Sequence, residues 1–180
     1  MLSAYRQLAA DREAQGIPAL PLNAEQVEAL TKQLENPATD DSKQLLYLLS
    51  QRIPPGVDNA AYVKANWLRS IANGKSNSPL VNPLEATRLL GTMIGGYNVA
   101  ALIEILENED LSLAECAAQG LSHTLLVYDA VNDVIELART NSFASQVITS
   151  WANAEWFTSK KILPQEITVT IFKVDGETNT

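Results

Sequence analysis

The stretch that most constrains this chain runs from Asn82 to Leu126: NPLEATRLLGTMIGGYNVAALIEILENEDLSLAECAAQGLSHTLL. It reads as three helices joined by turns too short to let them separate. Asn82-Pro83-Leu84-Glu85 is a helix start, with an Asn side chain for the free N–H groups, Pro at the first helical position and Glu three residues after the cap. Leu89, Leu90, Met93 and Ile94 follow as one apolar stripe, ended by Gly95-Gly96. A second stripe is Val99, Leu102, Ile103 and Leu106. Ser112-Leu113-Ala114-Glu115 reads as another capping box, opening a third stripe through Ala114, Ala117, Ala118 and Leu121. Amphipathic helices joined this closely bury their stripes only against each other, so the expectation is an α–α layered stack.

The same punctuation covers the rest of the chain. Ser3–Gln15 reads as a helix with Tyr5, Leu8 and Ala9 inward, stopped at Gly16. The prolines in Ile17-Pro18-Ala19-Leu20-Pro21-Leu22 force extended backbone, predicting an apolar strap. Asn23, with Gln26 three residues on, caps a second helix (Val27, Leu30, Leu34). Asp40 or Asp41 starts a third, carrying Leu45, Leu46, Leu48, Leu49 and Ile53. Pro54-Pro55-Gly56 breaks it, and Asp58 caps a fourth with Ala60, Val63, Trp67, Leu68 and Ile71 inward. Lys75–Pro79 is a polar loop. Two more helices are expected near Val127–Arg139 and from Ser142 to about Thr158. Most of the chain therefore follows the helical period. No fixed repeat length emerges, but helix pairs in this order are what irregular repeats of the HEAT type look like, and such stacks bind partners more often than they catalyse.

The pattern changes at Pro164. Ile167-Thr168-Val169-Thr170-Ile171 alternates with β-branched residues, a strand signal, and Asp175-Gly176 is a turn dipeptide. A strand with no neighbour leaves its backbone groups unpaired, so the expectation is a chain cut a short way into a second, β-containing domain. The division expected is 1–160 for an all-α, antiparallel helical-pair stack (an α–α superhelix) and 161–180 for the start of that second domain.

Charge and composition narrow the function classes. With 13 basic and 21 acidic side chains the formal charge is −8; a phosphate backbone is bound by clustered cations, and Lys160-Lys161 is the one local basic cluster. No apolar run approaches the ~20 residues of a membrane span. Arg6, Asp11, Arg12 and Glu13 interrupt any signal-like start, so cytoplasm is the default compartment. Cys116, the single cysteine, lies beside Ala117 and Ala118 and reads as a buried core thiol. His123, the single histidine, is seven residues on, roughly 10 Å along a helix, too far for the direct hydrogen bond a nucleophile and base require. One His and one Cys fall short of a zinc set. Gly91, Gly95 and Gly96 have no preceding strand or following Walker lysine, and read as residues of a tight helix–helix turn rather than a phosphate loop. Tyr97 and Asn98 are expected to be exposed at that turn. Trp151, Trp156 and Phe157 form an aromatic group just before the domain change.

Several of these stretches resemble the N-terminal region of bacterial aconitase B. They are Pro54-Pro55-Gly56-Val57-Asp58 with Ala61-Tyr62-Val63-Lys64-Ala65, Leu89-Leu90-Gly91-Thr92-Met93 with Gly95-Gly96-Tyr97-Asn98, and Leu121-Ser122-His123-Thr124-Leu125-Leu126. Ser150-Trp151-Ala152 with Ala154-Glu155-Trp156-Phe157 continues the match, as do Thr168-Val169-Thr170, Phe172-Lys173-Val174 and Gly176–Thr180. The resemblance implies a HEAT-like domain followed by the opening of a swivelling β/α domain. It also implies a parent hydro-lyase, an aconitate hydratase and 2-methylisocitrate dehydratase of the tricarboxylic acid cycle. In that family a [4Fe–4S] cluster with one open iron, held by three cysteines, works with a serine base. One cysteine cannot hold that cluster, so no catalytic, cofactor or metal residue is carried over. What remains is accessory work: packing on the catalytic domains, forming a tunnel to their active site, protein association including a homodimer, and weak mRNA contact. Tyr97, Asn98 and His123 are the residues expected to face the catalytic core. The family often has His-Pro after the Gly-Gly-Tyr-Asn segment; here Val99-Ala100-Ala101 follows. The alternative reading is a free-standing HEAT-like scaffold for a protein partner.

Overall fold

The computed structural model describes residues 2–38, 41–124, 127, 130–154, 171–172 and 178–179. Among them the helices are α1 (Leu2–Glu13), α2 (Ala24–Glu35), α3 (Ser42–Gln51), α4 (Asn59–Ala72), α5 (Pro83–Gly91), α6 (Val99–Ile105), α7 (Leu111–Ser122), α8 (Ala130–Leu137) and α9 (Ser142–Ala152). The all-α expectation is met across the described residues before position 155.

Packing runs in two layers. α2 lies on α4, α4 on α5, α5 on α7 and α7 on α9, while α3 covers α2, α6 covers α7 and α8 covers α9. The core between them is the predicted stripes: Leu30, Leu34, Leu45, Leu48, Leu49, Leu68, Leu90, Leu102 and Leu121 are all fully or nearly fully buried. The tightest crossing is made by absence of side chains. A Cβ on Gly91 would lie 3.0 Å from the Cα of Gly120, so α5 and α7 touch backbone to backbone.

Several helix starts follow the cap chemistry and others do not, Asp41 at α3 making no side-chain cap bond. Asn23 and Gln26 close a reciprocal capping box on α2, and Asn82 accepts from the Glu85 N–H with Pro83 behind it. α7, by contrast, begins before Ser112. Asp110 Oδ1 takes the Ser112 N–H at 2.9 Å and its hydroxyl at 2.6 Å, so the stronger acceptor captures the cap and Ser112 becomes an interior residue. Asp58 occupies the N-cap position of α4 but makes no side-chain cap bond.

Some burial expectations are also corrected. α1 buries Leu2 and Tyr5 while Leu8 lies at the surface; α5 stops at Gly91, so Met93 is buried from the turn and Ile94 is left 64% exposed. Val63 and Ile103, expected inward, do pack against the core, though each is only partly buried, as are Ala9 and Leu46. The expected extension of α9 through Thr158, with Trp156 and Phe157, lies outside the described residues, as do Ile167–Thr170. Ile171–Phe172 (β1) pairs antiparallel with Thr178–Asn179 (β2), Ile171 opposite Asn179 and Phe172 opposite Thr178. Of the strand expected at 167–171, only Ile171 lies among the described residues, in this pair.

Candidate functional site

Three connections meet at one end of the stack: residues 53–58 before α4, residues 92–98 between α5 and α6, and residues 123–124 after α7. The Gly91–Gly120 contact brings the last turns of α5 and α7 together, and Ile94 N–H donates to Pro55 O at 2.9 Å, joining the first two turns. Pro54-Pro55-Gly56 cannot continue a helix, and Pro55 O accepts this bond instead. Gly95 is what lets the turns close. A Cβ there would stand 2.0 Å from Gly56 O, and no other residue type fits that approach. Gly96 completes the reversal with φ of 91°.

Side chains then lock the junction. Asn98 Nδ2 donates to Met93 O (3.2 Å) and to Leu90 O (2.9 Å), which also accepts the Met93 N–H, tying the turn to the end of α5. Tyr97 Oη donates to Val57 O at 3.1 Å, and its ring meets that of Tyr62 edge to face with centroids 5.3 Å apart. The outcome for the three expected residues differs. Tyr97 is exposed at the turn, as expected, with 39% of its surface accessible. Asn98 is not: it is fully buried, because its amide is the internal tie of the α5–α6 turn. His123 is exposed at the C-terminal cap of α7, its N–H donating to Gly120 O. The structure thus gathers all three at one end, but no hydrogen bond among the described residues joins His123 to the other two.

Around Tyr97 stand Val57, Tyr62 and Ile94, each largely exposed. Sequence reasoning does not single them out as a surface: it puts Ile94 in the buried stripe, while Tyr62 falls between the inward positions of α4. On the other side of Asp58 lies a shallow groove of about 530 Å³ lined by Pro21–Glu25, Pro54 and Asp58–Ala60.

None of this supports nucleophilic chemistry. Cys116 is half-buried rather than buried, and desolvation pushes its thiol up, with Glu85 and Glu115 adding to the rise and Arg88 opposing it. A thiol so placed is a poor thiolate. Lys64, 2% exposed on α4 with no ion-pair partner among the described residues, is pushed down to about 8 by burial. The described residues gather no three His, Cys, Asp or Glu able to hold a metal ion, and no helix of theirs is long and apolar enough to cross a membrane.

Comparison with known proteins adds a family. The profile described as Aconitate B N-terminal domain matches residues 4–157. Aconitate hydratase B of Synechocystis sp. is 54% identical over 180 residues, covering 100% of this chain and 21% of the relative. The enzymes of that name from Escherichia coli and Pseudomonas aeruginosa are 52% and 50% identical over 181 residues, again covering 100% of this chain and 21% of their own length. The chain spans about a fifth of the curated relatives it matches.

Proposed function

Since the chain belongs to the aconitate B N-terminal domain family, we propose that it works as the accessory N-terminal domain of an aconitate hydratase B. In this reading the conversion of citrate and isocitrate is carried out by other domains, and the helical stack supports assembly and substrate access. The observation that carries it is the match itself: half or more of the residues are identical over the whole chain, to hydratases about five times as long. The alternation of an inner row (α2, α4, α5, α7, α9) with covering helices supports reading the stack as HEAT-like.

The [4Fe–4S] cluster of such enzymes does not fit the residues here. Cys116 is the single cysteine, and its thiol is raised rather than poised as a thiolate ligand. No step of the hydration is therefore assigned to this chain. The test is direct: the purified chain, incubated with cis-aconitate and no other protein, gives no hydration. Turnover by the chain alone overturns the proposal.

A further inference from the structure

The N-terminal arm of the chain is bonded to itself more closely than to the stack it lies on. α1 buries Leu2 and Tyr5, with Ala9 partly buried. A free helix of its 12 residues is marginal in water, so α1 depends on what holds it. Within the arm, the Ile17 N–H donates to Arg12 O (3.1 Å), Arg12 Nε to Pro18 O (2.7 Å) and Tyr5 Oη to Leu20 O (3.4 Å). Toward the stack the polar holds are two arginines. Arg6 reaches the start of α3, donating to Gln44 Oε1 (2.6 Å) and Asp41 Oδ1 (2.7 Å) in the open, where such a pair contributes little. Arg52, just past the end of α3, donates to Tyr5 Oη (3.0 Å) on α1 and to Ala19 O on the strap. One guanidinium therefore ties both parts of the arm. Leu22 belongs to the stack: it is 1% exposed, and its N–H donates to Arg52 O at 2.8 Å.

We infer that residues 2–21 are a latch that opens from the stack as one unit, with Arg52 as its catch, while α2–α9 keep their packing. Losing the Arg52 bonds frees Tyr5 and Ala19 together, and the bonds inside the arm carry the rest along. The inner row of α2, α4, α5, α7 and α9 does not pass through α1, so opening leaves it intact. Leu8, Ile17 and Leu20 already stand partly in solvent, so the apolar surface bared on opening is chiefly that of Leu2 and Tyr5 and what they cover. Segments held by few buried contacts open below the free energy of global unfolding. Pro21, at the edge of the arm, lines the shallow groove it shares with residues 22–25, Pro54 and Asp58–Ala60. The open latch therefore removes one edge of that groove.

Native-state hydrogen exchange, followed residue by residue, tests the latch. The hydrogen-bonded amides of α1 and of Ile17 are expected to share one level of protection, on the order of a hundred-fold below that of the core amides of α4 and α5. Arg52→Ala is expected to speed α1 and Ile17 alike by about five-fold, and Arg6→Ala by about three-fold, with α4 and α5 unchanged. The response of Ile17 to Arg6→Ala is decisive, because the Arg6 side chain bonds to Gln44 and Asp41 and to no strap residue among those described. An Ile17 amide that ignores Arg6→Ala while α1 responds shows a helix fraying by itself, and overturns the single unit. Amides in α1 as protected as those of α4 overturn it too, since the arm then opens only with the whole fold. An Arg52→Ala variant whose α1 exchange matches the parent overturns Arg52 as the catch.

Discussion

Residues 52–58 are held from two sides, and the two sides are built differently. On one side the extended strap, residues 17–22, is clasped by long polar side chains. The Arg52 guanidinium donates to Ala19 O and to Tyr5 Oη (3.0 Å), Arg12 Nε donates to Pro18 O (2.7 Å), and the Leu22 N–H donates to Arg52 O (2.8 Å). Ile17 and Leu20 stay partly in solvent. On the other side the 92–98 turn meets 55–57 with backbone against backbone and uncharged bonds. A clasp made of arginines can swing and re-form; a junction with no room for a methyl group cannot. The stiff side is also the side that carries the exposed tyrosines.

The sharpest way to break this contrast is with two glycines. Gly95→Ala drives a Cβ into the Gly56 carbonyl and is expected to cost about 3 kcal/mol or more, read as a fall in the urea midpoint. Gly16, just before the strap, also has a positive φ (71°), but a Cβ there meets nothing within 4 Å. Its change to Ala is expected to cost only about 1 kcal/mol. Equal costs would show that the two sides do not differ in tightness.

Lys64 sharpens the comparison from within α4, whose first residues border both sides. Its folded pKa, about 8, lies below the ordinary lysine value of 10.5. The unfolded chain therefore holds more protons between those values, and stability climbs as pH rises through that window. Lys64→Met is expected to gain up to about 3 kcal/mol at pH 7 and to flatten that rise. Denaturant melts at pH 7 and pH 10 check both, and a variant whose slope matches the parent would remove Lys64 from the account.

Asn98→Ala comes next, removing the side-chain donor of Met93 O and leaving Leu90 O with the Met93 N–H alone, at a cost of about 2 kcal/mol, measured by thermal unfolding. If it costs nothing, the buried tie is decorative. Smallest is Arg52→Ala, expected to cost about 1 kcal/mol. It should speed exchange of the amides in 17–22 while leaving 93–98 unchanged. Equal loosening of both segments would merge the two clasps into one.

What was legible in the sequence was whatever a single helix decides for itself. Asn23 with Gln26 and Asn82 with Pro83 and Glu85 announced two starts, and the stripes Ala114, Ala117, Ala118, Leu121 and Leu45, Leu48, Leu49 announced their buried faces. What escaped depends on contacts between distant segments. Asn98 looked like an exposed turn residue, because its partners, the carbonyls at the end of α5, become visible only once the turn is folded. Ser112 looked like a cap because a local pattern cannot rank it against Asp110. The candidate surface was half legible: Tyr97 from its place in a glycine turn, Tyr62 and Ile94 only after the helix faces and ends were fixed.

The measurement that tests the accessory-domain account most directly is the rate of cis-aconitate hydration by the Synechocystis enzyme with its aligned segment exchanged for this chain. The account predicts turnover within about ten-fold of the unaltered enzyme. A chimera that folds and carries its cluster, yet does not hydrate cis-aconitate, would contradict it.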